Sequence, residues 1–446
     1  MARENTLLTK KHILIYSGQS FNNHPELEYL NNNFCGIFAT STEGLVTDAR
    51  TLIYLCGDIS SITEAAKQLP HKAIYAVCEL SKDYDGHEGI DVIGLGCVPI
   101  NVHGAGVLFR KLFEEDDYDQ RICEAHTMQK LTESDKPNNA LREGMYLSRF
   151  RRRVDGVEID LMRCSSNFSG PTKKFQPVDE EIVTRTNDVT ADFFKDPTEL
   201  NHILAQTYHN SPSGKAKISK HADKTEDMGN GNSDEEEANE NTVSDIKAED
   251  MGSEQDPISE QVVNKGVIAF CSFYKHVGPQ VRSQTDPFDV CYRTTKGAHK
   301  STSVLTTLYF SLKDCVKDES LVKEFTVKLY PNSVFIIPLS TNRLYTHETR
   351  PSVLPFNVIP VRTSFVIKCS ITRALHKKDG QIYISHRGQW RKLMPMTRAD
   401  LTQLRTLYFL ENTTADYMNY PFIGFSANGG DYMELEDEPD EPELVI

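Results

Sequence analysis

His221 and Asp223 stand one residue apart in KAKISKHADKTEDM. In a strand or at its exit, residues i and i+2 share a face, so an imidazole and a carboxylate at this spacing can converge on one metal ion. An isolated H-x-D arises by chance in many chains; here two further residues downstream give it weight. His347 lies just past the apolar run SVFIIPL, and Arg362 opens the run RTSFVIKC 15 residues later. A guanidinium there offers a bidentate fork to a carboxylate. Ser364, two residues on and on the same strand face, adds a hydroxyl donor. Arg350 and Ser352 repeat the R-x-S spacing, but three residues after His347 they read as loop and rank second. Each residue also has a plain structural reading: His221 as a surface side chain in a polar stretch, His347 as a loop cap, Arg362 as the partner of a carboxylate on a neighbouring strand.

The elements that must position these residues are mostly strands. Residues 12 to 120 alternate short apolar runs (HILIYSG, FCGIFAT, TLIYLCG, KAIYAVCEL, DVIGLGCVPINV) with polar turns and one amphipathic helix pattern, SSITEAAKQL. The glycines of GLGCVPINVHGAG form neither G-x-G-x-x-G nor G-x-x-x-x-G-K-[ST], so no nucleotide is placed there. Helix-like spacing comes next in ICEAHTMQKL, then the basic run Arg149, Arg151, Arg152, Arg153, which reads as a solvated strand end or salt-bridged face before it reads as a phosphate grip. From residue 157 the pattern predicts VEIDLMRC as strand, helices at DEEIVTRTNDVTADFF and LNHILAQTYHN, and then the strands VIAFCSFY, SVLTTLYFSL, KEFTVKLY, SVFIIPL and TSFVIKC. Many strands after a couple of helices suggest an α+β chain with a jelly-roll core, helices packed on one side. The expected division is a smaller N-terminal α/β region (1–120), helical support with the first core strands and H-x-D (121–228), a disordered acidic insertion (229–257), the core (258–375), a helical extension containing RADLTQLRTLYFL (376–430) and an acidic disordered tail (431–446).

With 446 residues the chain can build two or three cores of ordinary size. Its net charge of −15 is concentrated: residues 226 to 260 hold 13 Asp/Glu against one Lys and residues 431 to 446 hold 8 and no base, which leaves +5 on the rest. Global charge therefore decides nothing about anionic ligands. No stripe of basic residues with interleaved aromatics marks a nucleic-acid groove, although nucleic acid is not ruled out, and the acidic segments could meet a basic partner. Ten cysteines are scattered without a C-x-x-C pair, against a zinc ribbon or a disulfide framework, and the sequons at Asn167 and Asn412 read as chance matches. No run nears 18 apolar residues and the N-terminus lacks the order of a secretory signal, so no membrane is expected and the chain reads as cytoplasmic, with the nucleus open.

In this order, with strands between them, His221, Asp223, His347 and Arg362 resemble the Fe(II)- and 2-oxoglutarate-dependent oxygenases, and within them the AlkB-type branch, over about Leu200 to Ser370. The resemblance implies a double-stranded β-helix core, Fe(II) held by His221, Asp223 and His347, and the far carboxylate of 2-oxoglutarate on Arg362 with Ser364 beside it. It also implies a cosubstrate contact from Tyr208, 13 residues before His221. The physical demand agrees: two neutral imidazoles and one carboxylate occupy one face of an octahedral ion and leave three positions, two for a chelating keto acid and one for O2. The chain departs from the branch at Lys368, six residues after Arg362, where the branch has a second arginine; the charge stays and the planar fork is lost. The implied activity is hydroxylation or demethylation of an unidentified substrate. The alternative is a non-catalytic jelly-roll interaction or regulatory protein. The blocks LTESDKPNNALREGMYL and FSGPTKKF are similar to an uncharacterised fungal family named for induction by N-acetylglucosamine, which would link that alternative to an amino-sugar response.

Overall fold

Strands buried on both faces read as continuous apolar runs, and ILIYS, LIYLCGD and AIYAVCELSK become neighbours in an all-parallel sheet. Its five strands stand in the order Ile37–Ala39, Ile13–Ser17, Leu52–Asp58, Ala73–Lys82, Asp91–Ile93. Alternate residues feed two cores: Leu14, Tyr16, Leu52 and Tyr54 on one face, Ile13, Ile15, Ile53 and Leu55 on the other. Gly57, at φ +89°, lies against its neighbour strand so closely that a Cβ would stand 1.9 Å from the Ser17 carbonyl oxygen. The computed structural model describes residues 12–131, 141–163, 167–211, 214–215, 218–225, 228, 266–275, 280–283, 285–292, 302–386, 389–418, 420 and 422–436. Within them the chain is a mixed α+β protein of several sheets and few helices. The acidic segment 229–257 lies outside the described residues.

The parallel region ends earlier than the sequence division at residue 120. Ile100–Val102 and Gly106–Phe109 form a hairpin that joins a nine-stranded sheet, in which Gly106–Phe109 pairs with Ser333–Pro338. The centre of this large sheet is Arg142–Ser148, His202–Tyr208, Arg362–Lys368, Val267–Tyr274 and Ser333–Pro338, mutually antiparallel. HILAQTY, expected to be helical, is one of these strands. Seven residues bonded on both edges gain two ladders of backbone hydrogen bonds, more than a two-turn helix offers, and tertiary pairing overrides the local pattern. The 17-residue helix Pro177–Phe193 packs on one side of the sheet, started by a reciprocal cap between Gln176 and Asp179. The helix read from ICEAHTMQKL is Tyr118–Ala125, and Gln129–Lys130 beyond it is a sheet strand.

A second antiparallel sheet, Ile218–His221, Tyr345–Arg350, Thr307–Leu312 and Glu324–Lys328, faces the large one. Aromatic rings join the two: Phe310 meets Phe335 with centroids 5.7 Å apart, and Phe270 meets His347 at 5.3 Å. A third sheet (Arg151–Arg153, Gly156–Asp160, Arg373–Lys377, Ile382–His386, Gln389–Lys392) carries Arg151–Arg153 of the basic run, with Arg149 just before it. Arg149 pairs with Glu180 and Glu199, Arg151 with Asp160, Arg153 with Glu158. The helix Arg398–Thr413 comes next, and the ordered body continues past residue 430. Asp431, expected in a disordered tail, is buried and accepts hydrogen bonds from Ser426 and Asn428. Among the described residues no helix is long and apolar enough to cross a membrane, and Cys35, Cys56, Cys97, Cys271 and Cys369 are buried free thiols.

The third sheet makes a pH prediction. Burial pushes the His376 imidazole down to about 4, against about 6.5 in an unfolded chain. Because the folded pKa is the lower one, the unfolded state takes up the proton first, and stability falls as the pH drops from about 6.5 to about 4. The full effect is about 3 kcal/mol. Urea titrations of wild type and His376→Gln at pH 7.5 and 4.5 should show a flatter pH dependence in the variant; equal slopes would remove His376 as the cause.

Candidate metal and anion site

The strand Ile218–His221 is only four residues long and shifts register along its length, so the place of its last residue is set by its partner strand. His221 is paired in register with His347, and the two rings lie with centroids 4.5 Å apart. His347 stands within the strand Tyr345–Arg350, one short helix (Leu339–Leu344) after the apolar run, rather than in a loop. Asp223, past the end of the H-x-D strand, points its Oδ2 to within 3.6 Å of His347 Nε2. The other oxygen, Oδ1, accepts a hydrogen bond of 2.5 Å from the Lys368 ammonium. Asp223, His347 and Lys368 are all buried.

This burial sets the electrostatics. Burial alone would raise the Asp223 carboxyl pKa, but Lys368 first, then His347 and His221, outweigh it and hold the group well below the usual carboxylate range. Burial, with the neighbouring His221 second, pushes His347 down to about 3 against the pull of Asp223. At neutral pH the site thus presents an ionised carboxylate and a neutral imidazole, the forms that ligate metals.

Arg362 opens the strand Arg362–Lys368, where Arg362, Ser364, Val366 and Lys368 share a face by alternation. Six residues at about 3.3 Å each put Arg362 and Lys368 about 20 Å apart at Cα, a span their long side chains shorten. Arg362 is 3% exposed. Its guanidinium lies 4.1 Å from the ring centre of Tyr208, its register partner on the adjacent strand. Among the described residues no carboxylate pairs with it. The Tyr208 hydroxyl donates to Gln206 Oε1, and the Ser364 hydroxyl donates to the Cys271 carbonyl at 3.3 Å. The second R-x-S pair is elsewhere: Arg350 ends its strand instead of lying in a loop, is half-exposed on Glu348 and the Tyr309 ring, and Ser352 donates to the Ser303 carbonyl.

Four buried polar atoms bear on what the site takes. Among the described residues Asp223 Oδ2, His347 Nδ1, Arg362 Nε and Ser272 Oγ have no hydrogen-bond partner. Ser272 is in register with Ser364 and so shares the Arg362 face. No three His, Cys, Asp or Glu side chains among the described residues are drawn together tightly enough to enclose an ion as they stand. The donor chemistry nevertheless fits one: a carboxylate oxygen faces an imidazole nitrogen, a second imidazole lies tilted beside that ring, and the remote carboxylate oxygen is held by a cation, as outer partners hold ligating carboxylates. Lys368 is legible in the sequence only as a departure from a motif. Nothing in the sequence points to Asn342 and Asn412 as the residues that bond the chain at Asp223 and Ala222.

No family model matches the chain, and no curated protein matches it. Among solved structures, one described as "The structure of OsALKBH1" is similar at a TM-score of 0.28 and 12% identity, over 59% of this chain and 97% of that one.

Proposed function

We propose that the chain is an Fe(II)- and 2-oxoglutarate-dependent oxygenase, with the large sheet and the sheet facing it forming a double-stranded β-helix. The observation that carries this reading is Arg362, a buried guanidinium without a carboxylate partner among the described residues, on the same strand face as the lysine that grips Asp223. An unpaired buried cation is strongly disfavoured unless a ligand neutralises it. A dicarboxylate with one end at Arg362 and the other at the His221, Asp223, His347 cluster satisfies both ends of that face.

Within this reading His221, Asp223 and His347 hold iron, which when bound supplies the activation of O2 coupled to decarboxylation of the keto acid. The chain's own residues do the rest. Arg362 fixes the far carboxylate, and the Tyr208 ring buttresses the guanidinium. Lys368 keeps Asp223 ionised and turns its free oxygen toward His347. Phe270 and Phe310, packed on the His347 ring at 5.3 and 5.5 Å, exclude water from that imidazole.

The Asp223–Lys368 contact favours a second reading, in which the lysine is the permanent partner of Asp223 and the sheets serve only as an interaction module. The two separate without a known substrate. Anaerobic wild-type protein given Fe(II) and 2-oxoglutarate should develop the weak visible absorption of the chelate, and His221→Ala should abolish it. A wild-type spectrum identical to that of the variant would leave the second reading.

A further inference from the structure

We propose that Asn412, together with Asn342, is a positioning residue that fixes the aim of Asp223, so that the C-terminal helix Arg398–Thr413 is part of the site; this rests on reading His221, Asp223 and His347 as the metal-holding set. Past His221 the chain leaves the sheet, and among the described residues the amides of Ala222 and Asp223 have no strand partner. Buried amides need an acceptor. Two asparagine side chains supply them. Ala222 N donates to Asn412 Oδ1 at 2.8 Å, and Asp223 N donates to Asn342 Oδ1 at 2.8 Å. Asn342 returns a bond from Nδ2 to the Asp223 carbonyl at 2.8 Å, which closes a reciprocal pair. The Asp223 main chain is thereby tied to the short helix that leads into the His347 strand, and the two sequence-distant ligands share one support.

Asn412 ties the same peptide to a second element. Its Oδ1 also accepts from Lys224 Nζ at 2.9 Å. The helix end that carries it is itself anchored, because Lys313 Nζ donates to the carbonyls of Glu411 at 2.7 Å and Thr414 at 3.0 Å. Thr225, two residues past Asp223, donates to the Glu411 carboxylate. A carboxylate aimed at an ion must keep its direction when the ion is absent, and side chains locked by packing and hydrogen bonds provide that.

The full chain with Asn412→Leu and with Asn412→Asp tests this by two readouts. In metal-free protein, amide hydrogen exchange at Ala222 should accelerate by roughly tenfold or more in Asn412→Leu, while Arg362–Lys368 keeps its protection. The Co(II) dissociation constant, read from the visible ligand-field absorption, should rise about 10- to 100-fold in the same variant. Asn412→Asp keeps an acceptor facing both Ala222 N–H and Lys224 and should restore both values. Should leucine prevent folding, Asn412→Gln, which moves the amide by one methylene, is expected to show the same losses in smaller degree. Wild-type Co(II) affinity in Asn412→Leu, or faster exchange spread evenly over the sheet, would overturn the positioning role alone. Failure of the wild type to bind Co(II) would instead remove the metal reading, and this inference with it.

Discussion

Arg362→Ala is expected to weaken 2-oxoglutarate binding by roughly thirtyfold to several-thousandfold while leaving divalent metal affinity within a small factor of wild type. The range corresponds to about 2 to 5 kcal/mol for losing one buried, charge-assisted pair. Placement separates the two effects: Arg362 sits about 20 Å along its strand from Lys368, at the far end of the face from Asp223. Arg362→Lys should recover only part of the loss, because an ammonium has no planar fork and stacks less well on Tyr208. Calorimetric titration of the cosubstrate into Mn(II)-loaded wild type and both variants reads the outcome. Equal affinity in all three would show that the guanidinium is not the anchor. Loss of binding in Arg350→Ala, with Arg362→Ala unaffected, would move the anchor to the strand end that Arg350 occupies.

Lys368→Met is expected to destabilise the metal-free protein by about 3 to 5 kcal/mol, since it leaves the Asp223 carboxylate buried without its cation. The double variant Lys368→Met/Asp223→Asn should regain much of that loss, because no uncompensated charge remains. Divalent metal should also rescue the single variant: Co(II) at a hundredfold excess over its dissociation constant returns about 3 kcal/mol through binding to the native state alone. Denaturant titrations with and without Co(II) separate these contributions. A Lys368→Met protein as stable as wild type would mean that Asp223 is neutralised by something other than the lysine.

The residues that can be read from the sequence are those whose meaning is local. Continuous apolar runs locate the strands of the parallel sheet and Val267–Tyr274, Ser333–Pro338 and Arg362–Lys368 of the large one, and DEEIVTRTNDVTADFF locates most of the helix Pro177–Phe193. H-x-D spacing is local as well. Register is not. His221 and His347 are 126 residues apart, and only the pairing of their strands sets the rings 4.5 Å from one another. Lys368 meets Asp223 across 145 residues, so its replacement of an arginine is visible in the sequence and its partner is not. The strand His202–Tyr208 escapes a local reading because HILAQTY has helix-compatible residues and acquires its conformation from strands on both sides. The asparagines behind Asp223 are invisible for the same reason: an asparagine in LSTNRL or LENTT has no periodicity to betray that its amide serves another segment.

The most direct measurement is an anomalous difference map from crystals of the wild-type protein grown with Mn(II) and 2-oxoglutarate in the absence of Fe(II). The expected result is one strong peak at coordination distance from His221, His347 and Asp223 Oδ2, with Lys368 still on Oδ1 and the far carboxylate of the keto acid on Arg362. A map without a peak there, in which Lys368 alone satisfies Asp223 and the Arg362 guanidinium stays unpaired at saturating 2-oxoglutarate, would contradict the oxygenase assignment.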